Sequence, residues 1–205
     1  MSRRIGVLIS GRGSNLQALI DAVQGGRLDA TIALVISNVP EAMGLDRALA
    51  AGIPTITVSH KGWPSRDAFD RELVRHLRTW KVDLVCLAGF MRLIGTPLLE
   101  AFPNAILNIH PSLLPSFPAT NPQRQALDHG VKVSGVSVHL VTGELDAGPI
   151  VLQRAVPVEE DDTEETLAAR ILEEEHRIYP EAVGRVLEGG WRVEGRRFVR
   201  SPSAV

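Results

Sequence analysis

Five short apolar runs constrain this chain more than any other feature. They lie at residues 5–9, 31–36, 54–58, 84–88 and 105–109, each five or six residues long. Runs this short and continuous fit strands covered on both faces, as in a parallel sheet. Helical stripes separate them. Leu16, Leu19, Ile20 and Val23 form one, stopped by Gly25-Gly26. Residues 42–51 form another, closed by Gly52. Ser65 reads as the N-cap of a third, with Asp67 in its first turn and Phe69, Leu73, Val74 and Leu77 as its apolar face. Strand and helix alternate to about residue 110, which predicts a doubly wound, mostly parallel α/β sheet. Right-handed crossovers then bring the carboxyl ends of the strands to one edge, where such sheets bind ligands. Three turns at that edge are polar or glycine-rich: 10–15, 37–41 and 108–124.

The pattern changes after residue 130. Residues 133–141 and 150–156 read as an antiparallel strand pair joined through 142–149. Asp161-Asp162-Thr163-Glu164 opens a long helix with the stripe Leu167, Ile171, Ile178, Val183, Val186 and Leu187. Pro180 is expected to kink or divide it, and Gly189-Gly190 to end it. Residues 191–199 read as a small hairpin around Glu194-Gly195, and the tail 201–205 as disordered. At 205 residues the chain is expected to form a single domain, 1–205, with enough apolar content for a substantial core. Its first half, about 1–100, carries the glycine turn; its second, about 101–190, carries Asn108, His110 and Asp146.

Composition removes several function classes. A formal net charge of -2 leaves no basic excess for nucleic acid, and 4% aromatics give no base-stacking platform. Cys86 is the sole cysteine, in an apolar run, so it reads as buried and inert, and thiolate metal clusters are excluded. No apolar stretch approaches the ~20 residues of a membrane span. Met1-Ser2-Arg3-Arg4 leads straight into a strand without a cleavage pattern, so no signal peptide and a cytoplasmic location are expected.

The glycine turn Ser10-Gly11-Arg12-Gly13-Ser14-Asn15 fails two phosphate signatures. Leu16 stands where the dinucleotide fingerprint needs its third glycine, and Asn38 ends the second strand where that site wants an acid. No Gly-Lys-Ser/Thr follows, so it is not a P-loop. A turn leading into a helix N-terminus remains. It suits one phosphate monoester at Gly13, Ser14 and Asn15, or else is a tight turn with Ser14 as a cap. Asn108 and His110 share one face of the fifth strand's end, and Pro111 stops the strand. An amide beside an imidazole is either structural or the donor set of an acyl transfer. Asp146, in Glu144-Leu145-Asp146-Ala147-Gly148-Pro149, is either a turn former or the matching carboxylate. Glu144 reads as solvated and His139 as structural. No nucleophile elbow and no clustered metal-ligand spacing occur.

The segments SGRGSNLQALIDA, LAGFMRLI, NIHPSLLPSF and GVSVHLVTGELDAGPIV resemble the folate-dependent formyltransferase family over about residues 4–190. GRGSN is the more selective for the branch that acts on glycinamide ribonucleotide. The resemblance implies a Rossmann-like formyltransferase fold. It also implies 10-formyltetrahydrofolate as co-substrate and glycinamide ribonucleotide as the other substrate; no metal is expected from the spacing above, and a homodimer is a possible assembly. It assigns Asn108, His110 and Asp146 to catalysis, with Asp146 favouring the protonated ring of His110. Gly13, Ser14, Asn15 and Glu175 are assigned to the ribonucleotide, and Arg66 to contact with the substrates. Met91, Arg92, Leu93 and Ile94, with Thr142, Gly143, Glu144 and Leu145, are assigned to the folate. Without it, Met91 and Leu93 read as core packing and Glu175 as a solvated helix face. The chain departs from the family pattern at Ala119, where glycine is usual, and at Asn121 or Gln123, at one of which many members carry histidine. It departs again at Gly143, where aspartate is common. Residues 118–124 read as a mobile lid that Ala119 and Pro122 stiffen. Competing readings are a formyl-folate hydrolase, formyltransferases for initiator tRNA or a nucleotide sugar, and a non-catalytic phosphate-binding module.

Overall fold

The computed structural model describes residues 3–200; the tail at 201–205 lies outside the described residues. They fall into two compact units, divided in sequence between Asn108 and Ile109.

The first unit comprises β1 (Arg4–Ile9), α1 (Ser14–Gln24), β2 (Thr31–Ser37), α2 (Met43–Ala50), β3 (Thr55–Thr57), α3 (Arg66–Thr79), β4 (Leu84–Leu87) and α4 (Thr96–Ala101), and most of β5 (Ile106–His110). Its strands are all parallel, in the order β3-β2-β1-β4-β5. β1 lies in the middle of this set, and Ile5, Val7, Leu8 and Ile9 are wholly buried. Burying such side chains stabilises by about 1.5–3 kcal/mol each. Because β2, β1 and β4 are neighbours, their carboxyl ends lie together. Ser10 N–H donates to Gly89 O at 3.1 Å, and Asn38 N–H to Ile9 O at 3.4 Å. Ser65 caps α3 as expected, accepting Ala68 N–H at 3.1 Å.

The second unit runs from the end of β5 through α5 (Pro122–Asp128), β6 (Val133–Leu140), β7 (Ile150–Pro157), α6 (Glu164–Glu188), β8 (Trp191–Glu194) and β9 (Arg197–Arg200). β6 and β7 are the antiparallel pair, with a register shift between Val138 and His139. The hairpin 191–199 joins its own unit's sheet, since Arg197 of β9 pairs with Ile150 of β7. Thr163 caps α6 through a reciprocal box with Thr166. Leu167, Ile171, Ile178, Tyr179, Ala182 and Val183 are wholly buried along one face of α6. Pro180 does not divide this helix, which runs unbroken for 25 residues. The proline is itself buried, and packing offsets its missing hydrogen bond.

Two elements escaped the sequence reading. α4 and α5 have six and seven residues, too few to print an apolar stripe. Each has a proline in its first turn, a start signal that stands without a pattern behind it. α5 also corrects the lid reading, because residues 122–124 are helical.

Candidate functional site

In the second unit, β5 delivers His110 and the turn after β6 delivers Asp146. His110 Nδ1 lies 3.5 Å from Asp146 Oδ2, with both side chains only 7% exposed. His110 Nε2 lies 2.9 Å from Phe117 O. A carboxylate and a carbonyl can only accept, so both contacts are hydrogen bonds only for the doubly protonated ring. Asp146 adopts φ 49°, a left-handed conformation that aspartate tolerates better than most residues. Its Oδ2 also accepts Ala119 N–H at 2.9 Å, and its Oδ1 lies 3.7 Å from His139 Nε2. Burial pushes the Asp146 carboxyl up. The bonds from His139 and Ala119 and the two imidazoles' charge outweigh that, and hold it below the usual carboxylate range. His139 is buried, as a structural residue should be, but its ring also faces Asp146, which strand alternation alone did not signal. Asn108 sits two residues before His110 on the same strand, so their side chains leave one face of β5. Side chains of the β6–β7 pair fix the loop beyond. Ser137 accepts Leu114 N–H at 3.0 Å, and Gln153 Nε2 donates to Leu114 O at 2.9 Å.

In the first unit, the N-cap of α1 is Gly13, at φ 70°, and Ser14 is the first helical residue rather than a cap. No side chain caps this end and no acid lies in its first turn. Amides at a helix start have no intrahelical acceptor, so such an end is suited to an anion. Gly13 is also sterically required: a Cβ there would lie 2.6 Å from Gly44 Cα. Gly44 N–H donates to Gly11 O at 3.0 Å, and Arg47 Nε to Arg12 O at 2.9 Å. Gly44 and Arg47 brace the turn from α2, and neither carried a signal in the sequence.

Met91 is 76% exposed and Leu93 57%, which overturns the core-packing reading. Arg92 is exposed as well and Ile94 half-buried. Arg66, exposed, begins α3. In the second unit, Thr142, Gly143, Glu144 and Leu145 are exposed, Leu145 at 54%. Glu175 is buried on α6 at 8% exposure, against the solvated-face reading. Two cavities of about 420 and 410 Å³ lie in the first unit, one beside Lys61, Trp63 and His76, the other beside Ile20, Ile32 and Trp80. Neither is lined by an assigned site residue. Among the described residues, no group of three or more histidines, cysteines or acids could hold a metal ion, and no helix is long and apolar enough to cross a membrane.

The model of the formyl transferase family matches residues 3–183. The chain is 48% identical over 192 residues to the trifunctional purine biosynthetic protein adenosine-3 of Drosophila pseudoobscura, covering 93% of this chain but only 14% of that protein's length. It is 45% identical to the phosphoribosylglycinamide formyltransferase of Escherichia coli, covering 93% of this chain and 87% of that protein. Among solved structures, the crystal structure of glycinamide ribonucleotide transformylase 1 from Symbiobacterium toebii superposes with a TM-score of 0.96 at 56% identity. That alignment covers 98% of this chain and 95% of the other.

Proposed function

The chain belongs to the formyl transferase family, and from that premise we propose that it moves the formyl group of 10-formyltetrahydrofolate onto the amine of glycinamide ribonucleotide. The products are formylglycinamide ribonucleotide and tetrahydrofolate, and the process is de novo purine biosynthesis, in the cytoplasm. The observation that carries this reading is the buried His110–Asp146 pair, 3.5 Å apart, with Asn108 on the same strand face as His110.

The chemistry follows from these groups. The neutral amine attacks the formyl carbon, a C–N bond forms, and negative charge gathers on the formyl oxygen. Asn108 and protonated His110 donate hydrogen bonds to that oxyanion. The oxyanion takes the place of the Phe117 carbonyl as the partner of His110 Nε2, which donates there at 2.9 Å. Asp146, held below the usual carboxylate range, stays ionised beside that ring. As the oxyanion collapses, the bond to the folate nitrogen breaks, and the proton released by the amine passes through water to that nitrogen.

Gly13, Ser14 and Asn15 hold the phosphate in this reading, with Glu175 on the rest of the ribonucleotide and Arg66 in contact with the substrates. The exposed apolar residues Met91, Leu93 and Leu145 suit a folate ring, together with Arg92, Ile94, Thr142, Gly143 and Glu144. The single-domain reading of 1–205 has support in a family match that runs across the division at residues 108 and 109.

The test is an absorbance assay for tetrahydrofolate release, run with and without glycinamide ribonucleotide. The expected result is turnover only with the amine. Turnover without it identifies a hydrolase. Absence of turnover in both, with phosphate-ligand binding retained, identifies a binding module.

A further inference from the structure

We propose that two polar side chains, half-buried Ser10 and buried Asp70, clamp the backbone of residues 91–95 at its two ends and so position the segment that receives the formyl-folate. The folate part rests on the formyl-transfer reading above; the clamp itself does not.

Residues 91–95 lie in neither helix nor strand, yet they present Met91, Arg92 and Leu93 outward. Exposed side chains cannot fix a backbone, so the order must come from beneath. At one end Met91 N–H donates to Ser10 Oγ at 2.8 Å. At the other, Gly95 N–H donates to Asp70 Oδ2 at 2.6 Å, in a buried bond. Only three residues separate these anchors.

The Ser10 end has a set polarity. Ser10 Oγ–H donates to Asn38 Oδ1 at 2.5 Å, which commits its one proton and leaves a lone pair for Met91 N–H. Asn38, only 3% exposed, turns its Nδ2 to His60 Nδ1 at 3.1 Å. The same His60 nitrogen lies 3.2 Å from Asn38 O, so this ring holds the end of β2 in either tautomer, accepting from the side-chain amide or donating to the carbonyl. The relay joins the ends of β2, β1 and β4 through residues 38, 10 and 91.

The Asp70 end is conspicuous by its position. Positions 70, 73 and 77 follow the helical stripe of α3, and Leu73 and Leu77 are wholly buried. Asp70 is 1% exposed in that stripe, where packing alone favours an apolar side chain. Its Oδ1 has no hydrogen-bond partner among the described residues. A buried carboxyl with one bond costs stability, and the Gly95 amide is what it secures. Gly95 leaves room for nothing else: a Cβ there would stand 2.7 Å from Asp70 Oδ2 and 3.3 Å from Asp67 Oδ1. Ser10 and Asp70 are therefore positioning residues.

The experiment pairs steady-state kinetics with amide hydrogen exchange on the full chain. Ser10→Ala and Asp70→Ala are each expected to raise KM for 10-formyltetrahydrofolate about 5–10-fold. Their kcat and their KM for glycinamide ribonucleotide should stay within about twofold of wild type. Asp70→Asn keeps an acceptor oxygen and should hold the folate KM within about twofold. The Met91 and Gly95 amides should exchange slowly in the wild type, with Met91 faster in Ser10→Ala and Gly95 faster in Asp70→Ala. Unprotected Met91 and Gly95 amides in the wild type overturn the clamp. So does equal damage from Asp70→Asn and Asp70→Ala, or an equal rise in both KM values. If Asp70→Ala does not fold, Ser10→Ala and the wild-type exchange rates decide. Absence of formyl transfer in the wild type overturns the catalytic reading and the folate role with it, and exchange still decides whether the clamp exists.

Discussion

Asn108 and His110 stand together because a strand repeats every two residues, and that much was legible from the sequence. Removing one oxyanion donor typically costs 10²–10³ in kcat. Asn108→Ala is expected to lose about that much, read by the tetrahydrofolate assay, with KM for either substrate little changed. A wild-type rate would remove Asn108 from the mechanism. Ala119 is a finding of a different kind. It occupies φ 67°, a conformation that penalises any residue with a Cβ. Its N–H still reaches Asp146 at 2.9 Å, so the chain keeps the contact and bears the strain. Ala119→Gly relieves about 1–2 kcal/mol of strain and gives back part of it as unfolded-chain entropy. A net gain of about 0.5–1 kcal/mol is expected in urea unfolding. A loss of stability would mean that the left-handed conformation costs nothing here. The sequence marked Ala119 as a departure but gave no sign of which backbone angle made it matter.

The long elements declared themselves through their stripes and caps, and the short ones did not. α6 shows both signals, since Thr163 caps it and Glu164 and Glu165 follow in the first turn. The N-terminus of α1 has neither. The same backbone dipole is thus met by side chains in α6 and, under the proposed function, by the substrate's phosphate in α1. Thr163→Ala removes the capping box and is expected to cost about 1 kcal/mol, measured as a lower urea midpoint with an unchanged m-value. An unchanged midpoint would show that packing of α6 against β6 and β7 holds its first turn without help. α4 and α5 were missed for a physical reason. At six and seven residues they are shorter than two turns, and tertiary contacts set them rather than periodicity.

Across the whole molecule, acid response divides by sign. Hydrogen bonds from Arg170, at 2.6 and 2.8 Å, hold the Asp162 carboxyl far below its usual range, and Asp146 is also held low. A lowered folded value contributes stability above the ordinary value of 3.8, which is lost as pH falls through the folded value. Asp70 runs the other way. Burial raises it, against the Gly95 bond and the Arg66 charge. Its contribution is complete below 3.8 and fades as pH rises through the raised folded value. Urea unfolding from pH 3 to 8 should therefore find the chain weakest in acid. Asp70→Asn should gain on wild type as pH rises. A constant difference between the two across that range would contradict the assigned sign.

Sequence alone determined the alternation of strand and helix, the antiparallel pair, the long helix and the family likeness. It also indicated which residues ought to carry chemistry. These follow from local periodicity, local turn chemistry and short motifs, all of which are written in consecutive residues. Only the tertiary structure decided the rest. It revealed that His139 backs Asp146, that Gly44 and Arg47 brace the glycine turn, and that Met91 and Leu93 are exposed while Glu175 is buried. It also brought Ser10, Asn38 and Met91 to one point. Each of these is a contact between residues far apart in the chain, or a burial that depends on such contacts. Those distances are set by which strands lie side by side, and no stretch of consecutive residues encodes them on its own.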